Sequence, residues 1–228
     1  RFKNKKNTNL RFLLEDRLLW MKKFIRGKKN IIELGSGNGA SKDILKNKKI
    51  ILTDIQKYPW IAKKVNMNNL RLEKKYIKKV DVFILNQSLH HCANPSKLLK
   101  KMSFYLKKNG FILIREPEIS FFLRFVLFIL DDEAWSFKVD IFNSKRNIFD
   151  PRSPWDANNA TATLLFKSDD KFYLNFPQYK IVKNEFSEFT TFLNCIPQFI
   201  KPLERIRNRF FTKNMGTSTQ CLNCHWYM

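Results

Sequence analysis

Ile31-Ile32-Glu33-Leu34-Gly35-Ser36-Gly37-Asn38-Gly39-Ala40 is the stretch that decides how this chain is read. A short apolar strand, interrupted by one acid, runs into a turn with three glycines in five positions. Glycines so closely spaced are costly unless the backbone must bend sharply or be approached closely. A second apolar run, Ile50-Ile51-Leu52-Thr53, ends on Asp54, nineteen positions after Gly35. A glycine turn after a strand, with a carboxylate about 20 residues further on, is a fingerprint of a nucleotide cofactor. The glycines admit the ligand to the backbone, and the later carboxylate accepts hydrogen bonds from ribose hydroxyls.

Gly35-x-Gly37-x-x-Ala40 also fits a dinucleotide pattern, but Glu33 at the mouth of the turn would repel a pyrophosphate. S-adenosylmethionine (SAM) carries an ammonium and a sulfonium instead, and both favour a nearby anion. With Gly39 arriving early, the stretch resembles the class I SAM-dependent methyltransferases, specifically the type 11 small-molecule group, over residues 28–118. The resemblance implies that Gly35, Ser36, Gly37 and Gly39 wrap the methionine part of SAM, that Glu33 orients its ammonium and that Asp54 holds the ribose. Asn66 and Met67 stand where the family contacts adenine, although Asn66 replaces an acid and Arg71 replaces a proline. Asn86, at the end of the fourth strand, is expected in the same site.

Apolar periodicity predicts a helix from Thr8 or Asn9 to Arg26 and strands at Ile31–Leu34, Ile50–Asp54, Val80–Asn86 and Phe111–Glu116. Helices are expected at Ala40–Lys46 and Ser96–Lys107, with Asn109-Gly110 as a turn. This alternation predicts an α/β, Rossmann-like fold: a mostly parallel seven-stranded sheet with helices on both faces. After Glu116 the pattern changes. An apolar helix at Ile119–Leu130, helices at Asp156–Phe166 and Asp169–Phe176, and Trp135 and Trp155 read as an inserted helical substrate lid over 119–178. A strand at Tyr179–Phe189, a basic helix at Phe199–Phe211 and a last strand complete a single domain of residues 1–228.

The formal net charge of +23 invites a polyanion reading. Its carriers are 31 lysines against 12 arginines, scattered among abundant Asn, Ile and Phe, which fits amino-acid usage better than a nucleic-acid patch, where Arg is favoured. Arg1 to Asn9 shows no signal-peptide pattern, and Arg1 in place of Met fits a processed or excised piece. Sparse cysteines (Cys92, Cys195, Cys221, Cys224) fit a reducing, cytoplasmic setting. Cys221-Leu-Asn-Cys224-His225 matches a haem-attachment spacing but reads as part of the terminal strand. No set of Cys and His has the spacing of a metal site.

Asn86-Gln87-Ser88-Leu89-His90-His91 lacks the Pro-Pro-aromatic signature of base-amine methylases. Cys92 is not in the Pro-Cys setting of cytosine methylases, and the paired-glutamate loop of arginine methylases is absent. Leu89-His90-His91, Asn94-Pro95 and Lys107-Lys108-Asn109-Gly110 are similar to the small-molecule group. Pro154 to Ala160 with Phe176-Pro177 resembles a narrower set of methyltransferases associated with envelope or polysaccharide chemistry. An alcohol acceptor needs a base, and His90 or His91 is the candidate; Glu116 is a weaker one. The expected protein is a cytoplasmic enzyme that methylates a small-molecule acceptor, lipid-linked or sugar-containing, and touches an anionic membrane peripherally. The alternatives are an RNA methyltransferase, which the charge keeps open, and a non-catalytic SAM-fold protein.

Overall fold

Continuous apolar runs become strands here because the sheet buries both of their faces. The computed structural model describes residues 14–15, 17–119, 134–143, 147–148, 150, 152–153, 155–187 and 217–224. Its strands are β1 (Ile31–Leu34), β2 (Ile50–Asp54), β3 (Lys63–Lys64), β4 (Val80–Asn86), β5 (Leu106–Pro117), β6 (Tyr179–Ser187) and β7 (Thr217–Cys224). They form one seven-stranded sheet in the order β3-β2-β1-β4-β5-β7-β6, with β7 antiparallel to both of its neighbours. β1 lies between β2 and β4, so chain connections leave it in opposite directions. That switch point opens a crevice at the carboxyl ends of β1 and β4.

Two apolar clusters cover the two faces. One gathers Ile32, Phe83, Leu85, Leu99, Met102 and Phe172; the other gathers Met21, Ile31, Ile50, Val82, Ile84 and Leu113. Cys224 belongs to the first and Cys221 to the second. The two thiols therefore sit on opposite sides of the sheet, pushed up by burial to about 11 and about 12. They are core side chains of a strand. Asp81, buried inside β4, accepts the Lys29 and Asn30 N–H groups at 3.0 and 2.9 Å, which anchors the chain as it enters β1.

The helix before β1 closes at Ile25, and Gly27 takes φ +73 as the stop; its predicted start lies outside the described residues. The helix after the glycine turn is Ala40–Ile44, and the next is Pro95–Tyr105, capped by the Asn94 side-chain Oδ1 accepting the Lys97 N–H at 2.8 Å. Two expectations change. Asn109-Gly110 does not end one element before another, because Leu106 already pairs with Val80. The turn survives as an irregularity within β5, with Asn109 at φ +60. Residues 156–160 are not helical: the Asn158 side-chain Oδ1 accepts the N–H groups of Ser136 and Ala160, competing with helical bonding.

In the 119–178 segment, the helices are Thr161–Phe166 and Asp169–Asn175. Leu165, Phe166, Phe172 and Phe176 belong to the main core, packed with Leu98, Leu99 and Met102. This part of the expected lid is foundation. The predicted apolar helix beyond Ile119 and the basic helix at Phe199–Phe211 lie outside the described residues. Among the described residues, no helix is long and apolar enough to cross a membrane.

Candidate functional site

The glycine turn is built from strand edges inward. Gly35, Gly37 and Gly39 all have positive φ, at +68, +47 and +73. Around them the chain is tied down. Ser36 N–H donates to the Thr53 carbonyl at 2.9 Å, and Thr53 N–H returns a bond to Ser36 Oγ at 3.1 Å. Thr53 Oγ1 donates to the Glu33 carbonyl at 2.6 Å. Ser88 Oγ donates to the Leu34 carbonyl at 2.9 Å. Asp54 closes the far side: its carboxylate accepts the Gly37 N–H and the Gln56 N–H, each at 2.9 Å. Trp60 donates its indole N–H to the Gly37 carbonyl at 2.7 Å and stacks on Tyr58. Nothing local in the sequence marks this brace; it requires the β2–β3 connection to fold back over the turn.

One cleft gathers much of what the sequence nominates. Gly35, Gly37, Asp54, Asn66, Met67 and His91 line it, with Ile55, Val65, Gln87, Ser88, Ser153 and Trp155 among their neighbours. Glu33, Ser36, Gly39, Asn86 and His90 stand outside that lining. Ser36 and Gly39 shape the turn. Asn86 pairs with Arg115 in the sheet, leaving Gln87 and Ser88 to face the cleft. Asn66 caps its own turn by accepting the Asn68 N–H at 2.8 Å. The donor set fits SAM. Open backbone at Gly37 and the Asp54 carboxylate share a wall with apolar Ile55, Val65 and Met67, and none of the described lining residues is Lys or Arg. A pyrophosphate would find no positive partner there. Among the described residues no group of His, Cys, Asp and Glu could hold a metal.

Glu33 is fully buried behind the turn, where its carboxyl accepts the Ser41 hydroxyl. Burial raises it from the usual 4.5 to about 7, partly offset by the Ser41 and Ser36 hydroxyls, with Asp54 adding to the rise. Between those two values the folded chain holds a proton that the unfolded chain has lost, so stability falls as pH rises from about 4.5 to about 7. The full effect is about 3 kcal/mol. Thermal melts of Glu33→Gln are expected to lose this pH dependence and to exceed wild type at pH 8. Parallel profiles for the two proteins would show that Glu33 does not titrate in this range.

At the carboxyl ends of β4 and β5 a buried carboxylate organises the His-His turn. Glu116 Oε1 accepts the N–H groups of Ser88 and Leu89 at 2.8 and 2.7 Å, and Oε2 accepts the His90 N–H at 3.3 Å and bonds His90 Nδ1. So engaged, Glu116 is a scaffold for the turn, and its signal in sequence is its position at the end of the strand beside β4. His90 is 3% exposed and locked onto it, whereas His91 reaches the cleft. His91 Nδ1 bonds the Asp156 carbonyl at 2.9 Å. A carbonyl can only accept, so Nδ1 carries a proton, and in the neutral tautomer the lone pair lies on Nε2. Asn158 N–H donates to the His90 carbonyl at 2.9 Å, so residues 156–158 grip the turn from the other side.

A family model for a methyltransferase domain matches residues 7–161, more than half of the chain. The fold is similar to that of a SAM-dependent methyltransferase from Archaeoglobus fulgidus, at 16% identity and TM-score 0.58, covering 93% of this chain and 94% of that one. It is also similar to a SAM-dependent methyltransferase from Methanosarcina mazei, at 13% identity and TM-score 0.54, covering 91% and 98%. No curated protein matches. The strand order, the glycine turn with its carboxylate and the family match agree: the chain belongs to the methyltransferase domain family, with the class I fold.

Proposed function

We propose that the protein methylates a hydroxyl of a small, uncharged acceptor group, of lipid-linked or sugar-containing type, with His91 as general base. The observation that carries this is His91 itself, in the cleft wall with its Nδ1 proton held by a backbone carbonyl. With Nδ1 so engaged, Nε2 is the basic nitrogen of the neutral tautomer. The absence of Lys and Arg from the described lining favours an uncharged reacting group over a nucleic-acid backbone. Asp54 would hold the ribose, and Asn66 and Met67 the adenine edge. Bound SAM supplies an activated methyl group on a sulfonium. The protein then has to align an acceptor oxygen and remove its proton. Trp155, 72% exposed at the rim, offers a flat apolar face to the acceptor.

The test is methyl transfer from tritiated SAM into fractionated sugar, lipid, RNA and protein pools. Label is expected in the sugar or lipid fraction. His91→Asn is expected to lower turnover about 100-fold or more at neutral pH while S-adenosylhomocysteine (SAH) binding stays intact. Label in RNA or protein would overturn the acceptor class, and full activity of His91→Asn would remove it as the base.

A further inference from the structure

Beside the cofactor cleft lies a second groove of about 410 Å³ between the Met67–Asn69 turn and the helix Pro95–Tyr105. Met67 and Asn68 line both spaces, so the two share a wall. Arg71 contributes a cation from one side, and Lys97, Lys100 and Lys101 contribute cations from the other. The described lining contains no carboxylate. The acid nearest in sequence, Glu73, is engaged by Lys63 and Lys75.

This arrangement concentrates positive charge on one concave surface. Like charges face each other across a concave surface, and Lys97 sits in the first turn of its helix, where the dipole favours an anion. That first turn contains no acidic residue. The ammonium groups of Lys100 and Lys101 lie over the rings of Phe176 and Phe104, 6.0 and 4.8 Å from the ring centres, and flank the Arg71–Lys97 part of the groove as further positive charge. Arg71 departs from the proline of the resembling family, and this groove gives it a place.

We propose that the groove binds a phosphate-bearing ligand beside the cofactor, with Arg71, Lys97, Lys100 and Lys101 as its cationic contacts. The patch is short and concave, suited to a discrete phosphate or diphosphate rather than to a long polyanion. The phosphate can belong to a soluble ester or to a lipid headgroup, and the experiment separates these sources.

The probes are inorganic pyrophosphate, by calorimetry, and phosphatidylcholine vesicles with and without phosphatidic acid, by co-sedimentation. The proteins are the full chain, Arg71→Gln/Lys97→Gln, and a charge-matched control, Lys48→Gln/Lys49→Gln. Pyrophosphate affinity is expected to fall about tenfold or more in the groove variant and to stay unchanged in the control. Sedimentation with phosphatidic acid that falls in parallel assigns the phosphate to a headgroup; sedimentation that is weak or unchanged assigns it to a soluble ester. Equal losses in both variants would reduce the effect to net charge and overturn the site. So would the absence of saturable pyrophosphate binding by wild type, or saturable RNA binding in its place. SAH binding, measured on the same samples, reports folding and keeps this outcome separate from the methyltransferase assignment.

Discussion

Asp54→Ala is expected to weaken SAH binding about 100-fold or more, because it removes charge-assisted hydrogen bonds of about 1.5–3 kcal/mol each. The carboxylate has two tasks in one place. It lines the cleft at the end of β2, and it holds the N–H groups of Gly37 and Gln56, each at 2.9 Å. Losing it leaves the ribose hydroxyls without an acceptor and frees the turn that carries the open glycine. Asp54→Asn keeps an acceptor oxygen without the charge, so its affinity should fall between those of wild type and Asp54→Ala. Calorimetry on the three proteins checks this, and unchanged affinity in Asp54→Ala would remove Asp54 from the site.

Gly35→Ala carries the largest expected loss of stability. At φ +68 an alanine is strained, and its Cβ would lie 2.6 Å from the Ser88 Cβ. Left-handed backbone costs about 1–2 kcal/mol and overpacking about 1–3 kcal/mol, so the total is about 2–5 kcal/mol. For a chain of this size that lowers Tm by about 5–15 °C. Ser88 cannot retreat freely, because its hydroxyl is bonded to the Leu34 carbonyl and its N–H to Glu116. Gly37 provides the contrast. A Cβ there meets nothing within 4 Å, so Gly37→Ala pays only backbone strain and is expected to melt closer to wild type. Equal melting temperatures for the two variants would show that the contact with Ser88 does not matter.

The parallel strands were legible because each must be buried on both faces, which forces continuous apolar runs such as Val82-Phe83-Ile84-Leu85. The helix Pro95–Tyr105 was legible because Asn94 and Pro95 are chemically specific start signals. Asn109-Gly110 misleads because local turn chemistry does not register that Leu106 already has a partner in Val80. Residues 156–160 mislead because the Asn158 side chain is used by Ser136, which lies 22 residues away.

The candidate site divides along the same line. The chain alone determines the glycine turn, Asp54 and the strand that delivers each, because these depend on neighbours in sequence and on the conformations open to glycine. It also places His90 and His91 at the end of β4. Which of the two faces the cleft is decided by tertiary structure. A tight 3₁₀ turn advances about 120° per residue, so adjacent side chains cannot share one direction. Glu116 from β5 captures one ring, and the Asp156 carbonyl orients the other. The Trp60 brace and the facing of Arg71 by Lys97 likewise need segments that meet only when the sheet has closed around its switch point.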